Sequence, residues 1–386
     1  MQVGSYTLTE KIDSGGYGKV YRGYETSTLK PVAIKISTKC GHKVAKEAKI
    51  LKSLKGGKGI PEVFTHGKWN HVHYMALELL GHNLYKEMLQ NKQGFSLSCI
   101  IKIAKQSIET LKFIHSKGIL HRDIKPEQIL LSLSGESIFL VDYGLSSKYL
   151  NGKVHKSFKN QVSTIGSVYF ASIHSHLGYK QSRRDDLESL FYTLFFLKKA
   201  HIPWEKSVLG LEGANKWQAC FSSKLSHQQE LFADWPIQFS NMFSYIRKLM
   251  YEENPNYEFL IKNLEEVKAK MALINEFDWE VGGFYKAATV DVHALKTSRK
   301  NRTKGIKCSK SFGAKEKKWA KELRKTHDLI ENKMKDCEVD EDIGYLACQK
   351  TDKAELPEFV DKRILELVRS KKFREFVDCK TKCEIS

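Results

Sequence analysis

The sequence predicts an α+β fold of two lobes: a small antiparallel sheet carrying one helix, then a larger, mainly helical lobe, with a helical extension after them. Three observations predict it. Tyr6 to Leu8, Val20 to Gly23 and Pro31 to Ile36 are β-branched and aromatic runs that read as successive strands of one sheet. From Leu97 to His115, apolar residues at Ile100, Ile103, Ala104, Ile108, Leu111 and Ile114 repeat at helical spacing. Between and beyond these lies a concentration of charged residues, His121 to Gln128 and then Asp142, Tyr143 and Gly144, whose chemistry is that of phosphoryl transfer.

The 386 residues suit one two-lobed domain of roughly 280 residues plus an appendage. No window approaches the ~20 uncharged apolar residues of a membrane span, and the polar start MQVGSYTLTEK lacks the apolar centre of a signal peptide. A cytosolic or nuclear chain is therefore expected, with no membrane partner. The eight cysteines are scattered without a CxxC pair, which suggests neither a zinc ribbon nor a disulfide framework. The net charge of +19 is unevenly placed: residues 1–290 carry 39 Lys and Arg against 27 acids, whereas residues 296–325 carry 13 against 2. Such a run attracts phosphate polymers or anionic surfaces, and equally serves as a solvated linker.

In the first lobe, Ile12, Asp13, Ser14, Gly15, Gly16, Tyr17, Gly18, Lys19 and Val20 form a glycine-rich hairpin between two strands. Glycines let backbone N–H groups approach phosphates closely. The following strand holds Val32, Ala33, Ile34 and Lys35, and a strand lysine at this offset from the hairpin can reach the α- and β-phosphates of ATP. Lys35 needs a carboxylate to hold it. In residues 43–54, Val44, Ala48, Ile50, Leu51 and Leu54 mark a helix that leaves Glu47 free to face the sheet. His71 to Leu80 reads as the last strand, with Leu77 walling the back of a pocket and Glu78 to Gly81 as a hinge whose backbone meets adenine. The nucleotide site so framed comprises Ile12, Gly15, Gly18, Val20, Ala33, Lys35, Leu77, Glu78, Leu80 and Leu130.

The helix that begins at Leu97 ends at Lys117 and Gly118 and delivers the chain to His121. Asp123 can orient a substrate hydroxyl, and Lys125 can meet the γ-phosphate. Ile129 to Leu131 and Ile138 to Val141 form a short hairpin that returns the chain to Asp142, an acid able to hold Mg²⁺.

These segments, together with Ala171 to Gly178, Gln181 to Leu190, Gly56 to Pro61, Glu78 to Gly81, and Ile202, Pro203 and Trp204, resemble the casein kinase 1 group of eukaryotic protein kinases, which includes the vaccinia-related kinases. The resemblance covers about residues 3–282. It implies the bilobal protein-kinase fold, with the small lobe at 1–80 and the large lobe at 81–285, and an ATP- and Mg-dependent serine/threonine kinase acting on proteins. It makes Asp123, Lys125, Lys35 and Glu47 catalytic, Asp142 and Gln128 metal-holding, and Asp186 a brace for the catalytic loop. Three positions depart from the family pattern. Gln128 replaces the metal-binding Asn, Asp13 replaces a phosphate-loop Gly, and Tyr169 stands where an Arg usually binds acidic or phosphorylated substrate. Lys224 is expected to preserve another part of that anion site. The first two departures leave a second function open, a catalytically impaired pseudokinase serving as scaffold or as a basic, nucleic-acid-binding subunit of a larger complex.

Beyond the kinase-like region, residues 286–313 read as a basic linker and 314–386 as a helical extension. Helices are expected over Ala314 to Lys335 and after Pro357, where Val360, Ile364, Leu367 and Val368 make an apolar stripe suited to the chain's own core or to a protein partner. The Lys296 to Lys325 run could hold nucleic acid through phosphate contacts, since Phe312 and Trp319 are too few for a stacking platform.

Overall fold

The computed structural model describes residues 1–15, 18–37, 41–90, 93–160 and 164–281. The basic run, the expected helices at 314–335 and after Pro357, and the linker lie outside them.

The small lobe is a six-stranded antiparallel sheet: β1 (Gln2–Val3), β2 (Tyr6–Gly15), β3 (Gly18–Glu25), β4 (Pro31–Ser37), β5 (Val63–Trp69) and β6 (Val72–Glu78), in the order β1-β2-β3-β4-β6-β5. Between β4 and β5 comes the single helix α1 (Gly41–Ser53). Alternation along β4 divides its side chains between two faces. Val32, Ile34 and Ile36 join Val3, Tyr6, Leu8 and Ala76 in an outer apolar cluster. Ala33 and Lys35 turn to the other side. Their partners in register, Leu77 and Met75 on β6 and Val20 on β3, share that face, because directly opposed residues of an antiparallel pair point the same way. The strand pattern thus delivers a lysine among apolar residues on the face that meets the second lobe.

The large lobe contains α2 (Leu84–Gln90), α3 (Leu97–Ser116), β7 (Ile119–Leu120), β8 (Ile129–Leu131), β9 (Ile138–Leu140), β10 (Ser147–Lys148), β11 (Leu150–Asn151), β12 (Val154–His155), α4 (Ile173–His176), α5 (Arg183–Lys199), α6 (Gly213–Ser226), α7 (Ile237–Lys248), α8 (Tyr257–Lys270) and α9 (Asp278–Val281). Helix α3 starts where the Ser96 side chain accepts from Cys99 N and stops at Lys117 and Gly118, whose positive φ of 73° ends the helix. Its apolar residues are buried in one cluster with Leu187, Leu190, Phe191 and Leu194 of α5, and with Val44, Ala48 and Leu51 of α1. One core therefore runs through both lobes.

Gly56 to Pro61 joins the lobes through the backbone. Gly59 takes a φ of 73°, its carbonyl accepts from Leu140 N at 2.8 Å, and a Cβ there would lie 2.4 Å from Thr110 Oγ1. The hinge makes a second junction: Gly81 N donates to Leu131 O at 2.8 Å, and Leu131 N to His82 O at 2.9 Å. Among the described residues no helix is long and apolar enough to cross a membrane.

Candidate active site

Lys35 of the small lobe bridges two carboxylates, one from each lobe. Lys35 Nζ lies 2.7 Å from Glu47 Oε2 on α1 and 2.9 Å from Asp142 Oδ1 at the start of the following loop. Lys35 and Glu47 are almost fully buried, while the Asp142 side chain is 31% exposed. Burial by itself weakens the charge on Lys35, but Asp142 and then Glu47 outweigh it and hold the ammonium well above its ordinary range. The same balance acts on Asp142: burial pushes its carboxyl up, yet Lys35, followed by Lys125 and His121, brings it down to about 2. One ammonium thus serves two carboxylates, and the surplus negative charge shows at Glu47, where burial, helped by the like charge of Asp142, pushes the carboxyl up despite Lys35.

The large lobe contributes the catalytic-loop residues. Asp186, buried on α5, accepts from His121 N and Arg122 N, both at 2.8 Å, and from His115 Nε2 at 2.9 Å. This fixes the backbone just before Asp123. Arg122 takes a φ of 73° and donates Nε–H to Leu145 O at 2.7 Å, and Asp142 takes a φ of 61°. Non-glycine residues in this region cost on the order of 1 kcal/mol or more each, and here the surrounding hydrogen bonds impose it. His121 donates Nε2–H to Val141 O at 2.9 Å, and burial pushes its imidazole below the ordinary range.

Asp123 and Lys125 meet over a residue that the sequence reading missed. Ser167 Oγ donates to Asp123 Oδ1 at 2.9 Å and accepts from Lys125 Nζ at 2.8 Å, while Lys125 lies 3.1 Å from Asp123 Oδ2. Burial tends to lower Lys125, but Asp123 and then Glu127 raise it, so it remains a cation. Nothing in spacing could have found Ser167, which is 44 residues from Asp123 in sequence. It is delivered by the family-specific stretch around α4. Gln181 Nε2 and Ser175 Oγ both donate to Ile165 O, at 3.0 and 3.1 Å. Ser172 caps α4 and donates to Asp185, and Ile173 N donates to Glu188 Oε1 at 3.0 Å. Glu188 pairs with Arg247 at 2.8 Å, so the stretch is a buried frame for the loop beside Asp123.

Gln128 lies with Nε2 3.4 Å from Asp142 Oδ2. Asp142 thus offers a carboxylate held ionised, a donor that suits a hard divalent cation carried in with phosphates, whereas Gln128 turns its amide NH₂ rather than its oxygen to that spot. Asp13 is paired with Val20 across a bulge at Ile12, and its carboxylate accepts from Ser14 N at 2.7 Å, a local bond that turns one oxygen back on its own loop. Ala33 and Leu77 are paired across the sheet, and Leu80 is buried in the hinge. Leu130 sits on β8 bridged to Asn83, and the Glu78 side chain accepts from Glu62 N at 3.2 Å while Glu78 N donates to Glu62 O at 2.9 Å.

One expectation changes around Tyr169. Lys224 does not face an anion site: it is 1% exposed and donates to Ala171 O at 2.6 Å and Val168 O at 3.2 Å. The residue that meets the half-buried Tyr169 is Lys216, whose Nζ lies 4.9 Å from the ring centroid. The expectation rested on resemblance, which fixes a position in sequence and not its surroundings. Lys216 and Lys224 are both on α6, and only packing shows that they point to different surroundings.

Two lobes joined at a hinge, with the lysine, glutamate and three aspartates so disposed, define a nucleotide-dependent phosphotransferase. The protein kinase domain family matches residues 6–236, more than half of the chain, and the protein belongs to that family. Its members use ATP with a divalent cation and act on proteins.

Proposed function

We propose that the protein is a casein kinase 1-like serine/threonine kinase that transfers the ATP γ-phosphate to protein hydroxyls. The observation that carries this reading is the simultaneous closure of both halves of the site, the Lys35–Glu47–Asp142 bridge and the Asp123–Ser167–Lys125 network. In this mechanism Asp123 orients the substrate hydroxyl and takes up its proton as the oxygen attacks phosphorus. Lys125 stabilises charge on the transferring phosphoryl group, and Lys35 holds the α- and β-phosphates. Mg²⁺ bound with ATP would be held by Asp142 and would neutralise phosphate charge.

A second reading, a pseudokinase acting as a scaffold, is favoured by one observation: Gln128 replaces a shorter amide and turns its NH₂ toward Asp142. One extra methylene displaces the amide oxygen in a site that demands metal–oxygen distances near ~2.1 Å. Calorimetric titration with Mg-ATP and a radiolabelled phosphate assay separate the readings. Mg-ATP binding and turnover within the usual range of about 1–100 per second support the kinase. Absent nucleotide binding in both the wild type and the Asp13→Gly, Gln128→Asn double variant supports the scaffold. A gain of one or more orders of magnitude in the double variant identifies a kinase slowed at these two positions, each factor of ten being about 1.4 kcal/mol of barrier.

A further inference from the structure

Between Asp142 and Asp185 the chain carries five lysines and two arginines and no acidic residue. Three of these lysines meet at a cleft of about 380 Å³ on the large lobe, formed by the β11–β12 hairpin with Lys156, Ser157, Lys159 and Lys180. The backbone ties Lys180 to Lys159, with Lys180 N donating to Lys159 O, and fixes Lys156 at the hairpin's base, with Lys156 N donating to Tyr149 O, each at 2.9 Å. The ammonium groups rest on carbonyls rather than carboxylates: Lys156 Nζ donates to Lys148 O at 2.6 Å and Lys180 Nζ to Ser157 O at 3.2 Å. Among the described residues no carboxylate pairs with Lys156, Lys159 or Lys180. Partial burial and then the neighbouring Lys156 and Lys159 lower Lys180 from its ordinary range, as expected where like charges are gathered without a counter-ion.

We propose that this cleft binds the phosphate monoester of a phosphorylated serine or threonine on a partner protein. A monoester carries close to two negative charges and three strong acceptor oxygens, which match three lysines lining one cleft better than the single charge of a phosphodiester. A nucleic-acid backbone needs a track, and this is a compact cleft. The rim points to a peptide rather than to free phosphate. Val154 is 72% and Phe158 46% exposed, apolar surface that a side chain neighbouring the phosphorylated residue can cover and an inorganic ion cannot. The cleft shares no residue with the Asp123 and Lys35 networks. Its use is therefore independent of whether Gln128 permits catalysis.

The test is a fluorescence-polarisation titration of the full chain with a labelled degenerate peptide pool carrying one fixed phosphoserine, beside the same pool with serine there. The proposal expects the phosphorylated pool to bind at least about tenfold more tightly, one charge-assisted contact's worth. In the Lys156→Gln, Lys180→Gln variant this advantage should fall below about threefold, with Mg-ATP affinity and the thermal unfolding temperature unchanged. Equal binding of the two pools, or an advantage that survives in the variant, overturns the proposal. So does binding of inorganic phosphate as tight as that of the phosphorylated pool, which would make the cleft a free-anion site. Duplex DNA binding that the same substitutions abolish, without phosphopeptide binding, would assign it to nucleic acid instead.

Discussion

Lys35 and Lys224 are both buried lysines, yet their surroundings give them opposite properties. Lys35 sits between two carboxylates and is held above its ordinary range, whereas Lys224 meets two backbone carbonyls, His176 Nε2 at 3.1 Å and the rings of Tyr192 and Trp204, and burial brings it down to about 8. Burial penalises the charged form in both cases. Only the presence of acids decides whether a permanent cation results. Lys35 is accordingly suited to anchor phosphates at any physiological pH, while Lys224 is a strut that ties α6 to the carbonyls flanking Tyr169.

The largest expected effect breaks the comparison on the Lys35 side. Lys35→Met should lower ATP-dependent phosphoryl transfer at least about a thousandfold, on the order of 4 kcal/mol of barrier, while the variant still unfolds in one cooperative transition. Steady-state assays with a calorimetric melt check this, and equal activity removes Lys35 from the machinery.

On the other side, the measurable consequence of Lys224 is a pH dependence of stability. Its pKa is about 8 in the folded protein against 10.5 ordinarily. Between those values the unfolded chain binds the extra proton, so folding gains stability as pH rises from 8 to 10.5. The cost of the buried charge is present in full below that window. The difference is on the order of 3 kcal/mol. Lys224→Met should lack this gain, and denaturant titrations of both proteins at pH 7.5 and 10 test it; parallel behaviour would mean that Lys224 is not the titrating group.

Asp142 sharpens the contrast at acid pH. Its folded value of about 2 lies below its ordinary 3.8, so its contribution is complete above about pH 4 and is lost as pH falls through 2. The size is on the order of 2 kcal/mol. Comparing urea unfolding of the wild type and Asp142→Asn at pH 5 and 2.5 should show the gap closing. A constant gap would place the stabilisation elsewhere.

The smallest effect is expected at Ser167. Ser167→Ala leaves both charges in place but removes the hydroxyl between Asp123 and Lys125, so kcat should fall about tenfold, roughly 1.4 kcal/mol, with the KM for ATP unchanged. An unaltered kcat would reduce Ser167 to a packing residue.

Much of the small lobe was legible before any coordinates. Pro31 to Ile36 read as a strand carrying Lys35, and the apolar period of 43–54 left Glu47 free to meet it; the 2.7 Å pair is the result. The hairpin between Gln128 and Asp142 was legible for the same reason, since its strands are defined by neighbours in sequence. Ser167 and the divergence of Lys216 from Lys224 were not. The first depends on how α4 and the start of α5 suspend a loop, the second on which side of α6 faces Tyr192 and Trp204.

The sequence by itself determined the two-lobed plan of a sheet with one helix followed by a mainly helical lobe, and the protein-kinase family, because periodicity, glycine placement and motif spacing act over a few residues. Tertiary structure alone decided which charges share a cavity, which lysine remains a cation, and which hydroxyl bridges Asp123 to Lys125. Those outcomes depend on burial and on distances between segments far apart in the chain, and a few ångströms there decide whether a carboxylate offsets the cost of desolvating an ammonium.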